Sequence, residues 1–203
     1  MTGDEVTWLT CAVPDIGRLL ADDVVVGVDM PIGLAETGWR ECDRLAKAKL
    51  GPAGSRVFMT PPRNVLALGL TTPNEQVQAL SRELTGQGTS RQAMGLAERI
   101  LTLDLALTGA RATVIEVHPE LSFTELAGNP LASKKTARGV GERLAALRPW
   151  LETIDAVLSN APSDVPTDDA LDALVALWSA ERWRDGAART MPLDAAHPPF
   201  IVT

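Results

Sequence analysis

The chain has 203 residues, 45% apolar and 22% charged, the proportions of an ordinary globular protein. Its net charge of −7 excludes a broad basic face that would neutralise a long nucleic acid, so any phosphate contact needs a local basic patch or a small substrate. Cys11 and Cys42 lack the spacing of a zinc site or a disulfide framework, and no run of about 18 apolar residues offers a membrane span, so the expected location is the cytoplasm.

Residues 6–11 are β-branched and aromatic, and predict a short strand. A short helix over 14–20 follows, with Pro14 at its start. Residues 24–28 form an apolar run without polar alternation, the pattern of a strand covered on both faces of a parallel sheet. Residues 38–50 predict a helix that stops at Gly51-Pro52. Residues 55–62 read as extended, and 63–70 fit either state. Thr72, Pro73 and Glu75 give a helix start, with Thr72 as N-cap and the helix running to about Leu84. Ser90 caps a longer helix with apolar positions at Met94, Ala97, Ile100, Leu101 and Leu105.

Residues 113–117 predict a second central strand. Pro119 then opens a helix to about Ala127, and a loop over 129–136 carries Lys134 and Lys135. Helices are expected near 139–147 and 150–158. Thr167 caps a final helix of about 18 residues, which stops at Gly186. The tail from Met191 is Pro-rich, with an edge strand at 200–202. Strands interleaved with helices predict a single α/β domain over 1–203, with a helical insertion at about 72–108.

Acidic residues are the main candidates for chemistry. Asp29 follows an apolar strand, at the end where open α/β sheets bind ligands. It fits a functional carboxylate and a turn-capping Asp equally well. Strand alternation puts Val114, Glu116 and His118 on one face and Ile115 and Val117 on the other. A Glu between Ile and Val needs a compensating partner. His118 fits a metal ligand, a proton carrier or, more simply, a backbone hydrogen-bond partner. Glu120 is favoured by the helix dipole alone. On the final helix, Leu171, Leu174, Val175 and Trp178 form the stripe expected to be buried, with Asp168 and Asp172 at its edge and Asp169 one step further round. Like charges on one helix face repel, and a cation relieves that. Such oxygen-rich sites suit Mg²⁺ or Mn²⁺. Lys134, Lys135, Arg63, and Arg40 with Arg44 are the bases that could answer phosphate, although each alone reads as a solvated charge.

Six short segments occur in order: Val-Asp-Met-Pro-Ile-Gly (28–33), Arg-Glu-Cys-Asp-Arg (40–44), Arg-Val-Phe-Met-Thr-Pro-Pro-Arg (56–63), Glu-Val-His-Pro-Glu (116–120), Lys-Lys-Thr (134–136) and Asp-Asp-Ala-Leu-Asp-Ala-Leu (168–174). Together they resemble the DUF429 family, described as nucleases with a ribonuclease-H-like fold. The resemblance implies a mixed sheet with flanking helices and clustered carboxylates. It makes Asp29 the acid on a central strand and Asp169 and Asp172 helix-borne ligands, and gives Glu116 and Glu120 less definite roles. The acidic helix is also similar to the final helix of Holliday-junction resolvases. Family members usually begin with a strand reading roughly Gly-Val-Asp-Gly and a Gly-rich hairpin. Nothing before Val6 fits that strand, so the chain is expected to lack it. A homodimer or the segment 200–202 would then cover the exposed edge.

Three activities follow as expectations. The first is metal-dependent phosphodiester hydrolysis, with two cations about 4 Å apart bridged by carboxylates. Asp29, Asp169 and Asp172 would be ligands, Glu116, Glu120 and Asp168 further acidic candidates, and Lys134 or Lys135 would stabilise phosphate charge, while Arg40, Arg63 and His118 would contact a nucleic-acid or nucleotide substrate. The second is a non-catalytic binding or assembly module with an incomplete site. The third, nucleotide-dependent phosphotransfer, ranks last because no Gly-rich phosphate loop is present.

Overall fold

The computed structural model describes residues 6–10, 16–69, 71–193 and 197–203. After a short α1 (Ile16–Leu19), strand β1 (Val25–Val28) pairs in parallel with β2 (Thr113–Glu116), from Val25 opposite Thr113 to Val28 opposite Glu116. Parallel pairing demands a long crossover. Here it holds α2 (Glu41–Leu50), a 3-10 turn (Gly51–Arg56), α3 (Arg63–Ala67), α4 (Asn74–Thr85), α5 (Arg91–Gly95) and α6 (Ala97–Ala106). After β2 come α7 (Pro119–Ala127), α8 (Ala137–Leu147), α9 (Ile154–Ser159) and α10 (Thr167–Arg184). Strands β3 (Thr190–Met191) and β4 (Ile201–Val202) pair antiparallel, and a parallel bridge from Val202 to Val117 sets them beside β2. The chain is therefore a mixed α/β fold with a small parallel sheet. No helix among the described residues is long and apolar enough to cross a membrane.

Helix α10 lies against the sheet. Its Ala176 and Ala180 pack with Ile115, Val117, Phe200 and Val202. The approach is close enough that a Cβ on Gly27 would lie 2.7 Å from the Ala176 carbonyl oxygen, so β1 needs glycine there. On its other side α10 turns Leu171, Leu174 and Val175 into a core with Phe123, Leu147 and Ile154. The stripe expected from helical spacing, Trp178 included, is buried. Each such side chain contributes about 1.5–3 kcal/mol on full burial. Helices α3 to α6 gather around a separate cluster of Val65, Leu66, Val77, Met94, Ala97 and Ile100.

Several elements differ from expectation. Residues 6–10 form no strand: the Trp8 indole donates to the Val157 carbonyl at 2.8 Å, and Val6 and Trp8 pack against the helical core instead. Cys11 and residues 12–15 of the expected strand and helix lie outside the described residues. Thr72 does not cap α4, because its hydroxyl donates to the Leu68 carbonyl and the helix begins after Pro73. Ser90 does cap, accepting from the Ala93 amide, but the long helix divides into α5 and α6 after Gly95, a poor helix former. Leu105, expected on the apolar face, is 74% exposed. Helix α9 begins at Ile154, later than expected.

Candidate functional site

Strand β1 ends where Val28 accepts a hydrogen bond from the Val117 amide at 2.8 Å, which brings Asp29 beside His118. Both line a cleft of about 340 Å³. Its polar wall adds Asp172, Lys134, Lys135 and Arg56, and its apolar wall comes from Phe58, Leu96 and Pro119. Asp29 is exposed, yet the walls of the cleft crowd its carboxyl and thin its hydration. That loss of hydration raises its pKa to about 7, with repulsion from Asp172 adding to it, Lys134 opposing, and Glu116 and Asp169 adding less. Burial also raises Asp172, against the pull of Lys134. His118 is lowered by burial, against Glu120 and Asp43, and so is neutral near pH 7.

The loop holding Lys134 and Lys135 is clamped onto the acidic start of α10. Lys134 Nζ ion-pairs with Asp172 and lies 3.8 Å from Asp168, while Lys135 Nζ lies 2.5 Å from Asp168. The bond from Lys135 holds the Asp168 carboxyl below its usual range. Asp169 is exposed on the outer side of that turn. Local chemistry fixes the loop shape. The Thr136 hydroxyl accepts from the Gly139 amide as the α8 cap, and Glu142 accepts from the Ala132 amide at 2.7 Å. A Cβ on Gly139 would lie 2.1 Å from the Ser133 carbonyl oxygen, so only glycine allows α8 to sit this close to the loop.

Two buried networks take up other charges named from the sequence. Arg40, 2% exposed, donates to Glu116 at 2.6 and 2.8 Å, to Asp43 at 2.5 Å and to the Ile32 carbonyl at 3.0 Å. Glu116 also accepts from the Ile32 amide, and Asp43 from the Thr60 amide. Burial alone would raise Glu116, but two arginine bonds and an amide bond fit its ionised form. The second network centres on Glu120, which accepts from the fully buried Arg143 at 2.7 Å and from Arg56 at 2.6 Å. Arg143 also donates to Ala132, and Arg56 to Leu131, so this network anchors the lysine loop.

Of the residues named from the sequence, the fold gathers Asp29, His118, Glu120, Lys134, Lys135 and Asp172 at the cleft, with Asp168 and Asp169 beside it. The expectation that Arg40 contacts substrate is corrected: its guanidinium is buried between two carboxylates. Arg63 is likewise not at the cleft, since it pairs with Asp104 and Glu36. Glu116 and Glu120 already carry arginine partners. Sequence reading missed Asp43, Arg56, Phe58, Gln92 and Arg143. Arg143 had a signal, because it shares the buried face of α8 with Gly139 and Leu147 at helical spacing.

The donor set bears on whether a cation fits. Among the described residues no group of three or more His, Cys, Asp or Glu is placed to enclose a metal ion. A carboxylate cage therefore does not fit. Asp29 and Asp172 fit a lighter arrangement, since Mg²⁺ is often bound by one or two carboxylates plus substrate phosphate. Asp172 Oδ1 is buried with no hydrogen-bond partner among the described residues, as is His118 Nδ1.

No curated protein and no solved structure matches the chain. One family model matches residues 3–197, nearly the whole length and a span that contains every residue of the cleft. The chain belongs to the DUF429 family of proteins of unknown function.

Proposed function

We propose that the cleft hydrolyses phosphoesters with one divalent cation, Mg²⁺ or Mn²⁺, held by Asp29 and Asp172. The observation that carries this reading is the pair itself. Two mutually repelling carboxyls share one cleft, both raised above their ordinary range, and one keeps a buried oxygen without a partner. Such poise is common at functional sites. A ribonuclease-H-like fold belongs to the same proposal, supported by parallel strands ending at an acid and a final helix bringing acids across to it.

The cation would supply Lewis-acid stabilisation of phosphoryl oxygens. His118, kept neutral by burial, offers one acceptor nitrogen for the proton of an attacking water. Lys134, Lys135 and Arg56 face the negative charge that develops on phosphate. Glu116 and Glu120 act through structure, fixing the strand end and the lysine loop.

The test is hydrolysis of bis(4-nitrophenyl) phosphate with Mn²⁺ by the native chain and by Asp172→Asn. The variant is expected to lose about 100-fold or more in rate while keeping its secondary structure. Full activity in the variant would remove Asp172 from the site.

A second reading, a non-catalytic binding module, is favoured by the lack of a three-membered ligand group among the described residues. Under it, Mn²⁺ would leave the unfolding temperature unchanged.

A further inference from the structure

The cleft has two chemically different walls. The Asp172, Lys134 and Lys135 side is charged, while Phe58 and Leu96 are half-buried and apolar, with the Gln92 amide beside them. Phe58 comes from the segment after the 3-10 turn, and Gln92 and Leu96 come from α5 and its junction with α6. Among the described residues no hydrogen bond or ion pair joins these three to the carboxylates or lysines of the cleft.

We propose that the cleft takes a single nucleotide unit, with its phosphate beside Asp172, Lys134 and Lys135 and its base against Phe58 and Leu96. This substrate class deepens the hydrolytic reading and rests on it. Volume supports it first. At about 340 Å³ the cleft is at the lower end of small-ligand sites, which span roughly 300–1,000 Å³. A duplex-binding surface instead covers about 1,000–2,500 Å² and carries strong positive charge. Charge supports it next. The chain is at −7, and each cation lining the cleft already holds a carboxylate: Arg56 holds Glu120, Lys134 holds Asp172 and Lys135 holds Asp168. Such cations can answer one phosphate, not a row of them. The apolar wall then explains itself. A base stacks on an aromatic face whatever its sequence, and an amide can donate to and accept from its edge.

The experiment is calorimetric titration of the full chain, with Mn²⁺ present, using inorganic phosphate, adenosine 5′-monophosphate and a DNA duplex of roughly 20 base pairs, a length that spans two grooves. The mononucleotide is expected to bind about ten-fold tighter than phosphate, the increment of one stacked base. Phe58→Ala is expected to abolish that preference and Phe58→Tyr to keep it, with circular dichroism confirming that both fold. Tighter binding of the duplex than of the mononucleotide would overturn the proposal. So would an unchanged preference in Phe58→Ala. Equal binding of phosphate and mononucleotide would remove the base subsite and leave the hydrolytic reading standing. No phosphate binding with Mn²⁺ would remove both.

Discussion

Replacing Arg40 with Met tests the buried network most directly. Methionine keeps much of the length and apolar volume of arginine but removes the charge and every donor. Arg40 makes four bonds to Glu116, Asp43 and Ile32 at 3.0 Å or less. After the substitution, Glu116, at 5% exposure, keeps only its amide bond from Ile32, and Asp43, at 2%, keeps the Thr60 amide and the weak Cys42 thiol donor. Breaking a buried ion pair from one side costs about 3–5 kcal/mol. For a chain of this length that lowers the unfolding temperature by about 6–20 °C. The sign with pH is fixed as well. Burial already raises Glu116 and Arg40 opposes that rise; without Arg40, Glu116 is raised further, so the folded variant holds a proton that the unfolded chain has released, and the loss is full at pH 8 and shrinks toward pH 5. Urea unfolding followed by tryptophan fluorescence at both pH values measures this. A deficit below about 1 kcal/mol at pH 8, or one independent of pH, would refute the assignment of Arg40 as the charge that holds this network.

Asp29 gives a second dependence on pH. Its carboxyl titrates near 3.8 when unconstrained and near 7 in the fold, so between these values the folded chain carries the extra proton and stability falls as pH rises, levelling off above about 7. Asp29→Asn is expected to remove this slope and to be more stable than the native chain at pH 8; equal urea midpoints at pH 8 would contradict the raised value. Gly139→Ala forces the Ser133 carbonyl away and is expected to cost about 1–3 kcal/mol while displacing the lysine loop. Its readouts are the urea midpoint and the amide exchange of residues 131–136, and native values of both would show that the close approach is unimportant.

The sequence carried what periodicity and turn chemistry can encode. Residues 24–28 read as a central strand because their apolar run lacks polar alternation, and 113–117 because β-branched residues dominate it despite Glu116; β1 and β2 fall within these spans. The span of the final helix was legible because Leu171, Leu174 and Val175 recur at helical spacing, but Thr167 does not cap it: Pro166 stands at the cap position, with no side-chain cap hydrogen bond, and Thr167 is the first helical residue. Residues 6–10 misled, because β-branched and aromatic composition describes a half-buried surface of any shape and here Trp8 spends its indole on a helix end. The site was legible as a list of acids but not as a division of labour. Glu116 and Asp29 look alike in sequence, each an acid in apolar surroundings. Only the fold shows that one meets Arg40 and the other meets Asp172, because those partners arrive from distant parts of the chain. Gln92 had no signal, since it belongs to no periodic pattern, charge cluster or family segment, and Phe58 had only its place in the segment 56–63, which marks the family and not a contact.

The bridge from Val202 to Val117 has a consequence for how the protein is made. Strand β1 leaves the ribosome early, but its partner β2 follows only after six intervening helical segments, and the strand that flanks β2 comes later still. Helix α10, which covers the sheet, is also among the last elements to emerge. During synthesis, then, Val25, Val26 and Val28 wait as an unpaired apolar edge while local helices can already form. Such non-local closure is slow and leaves the nascent chain open to association with its neighbours. The completed fold depends on residues near 200 to seal what residues near 25 began.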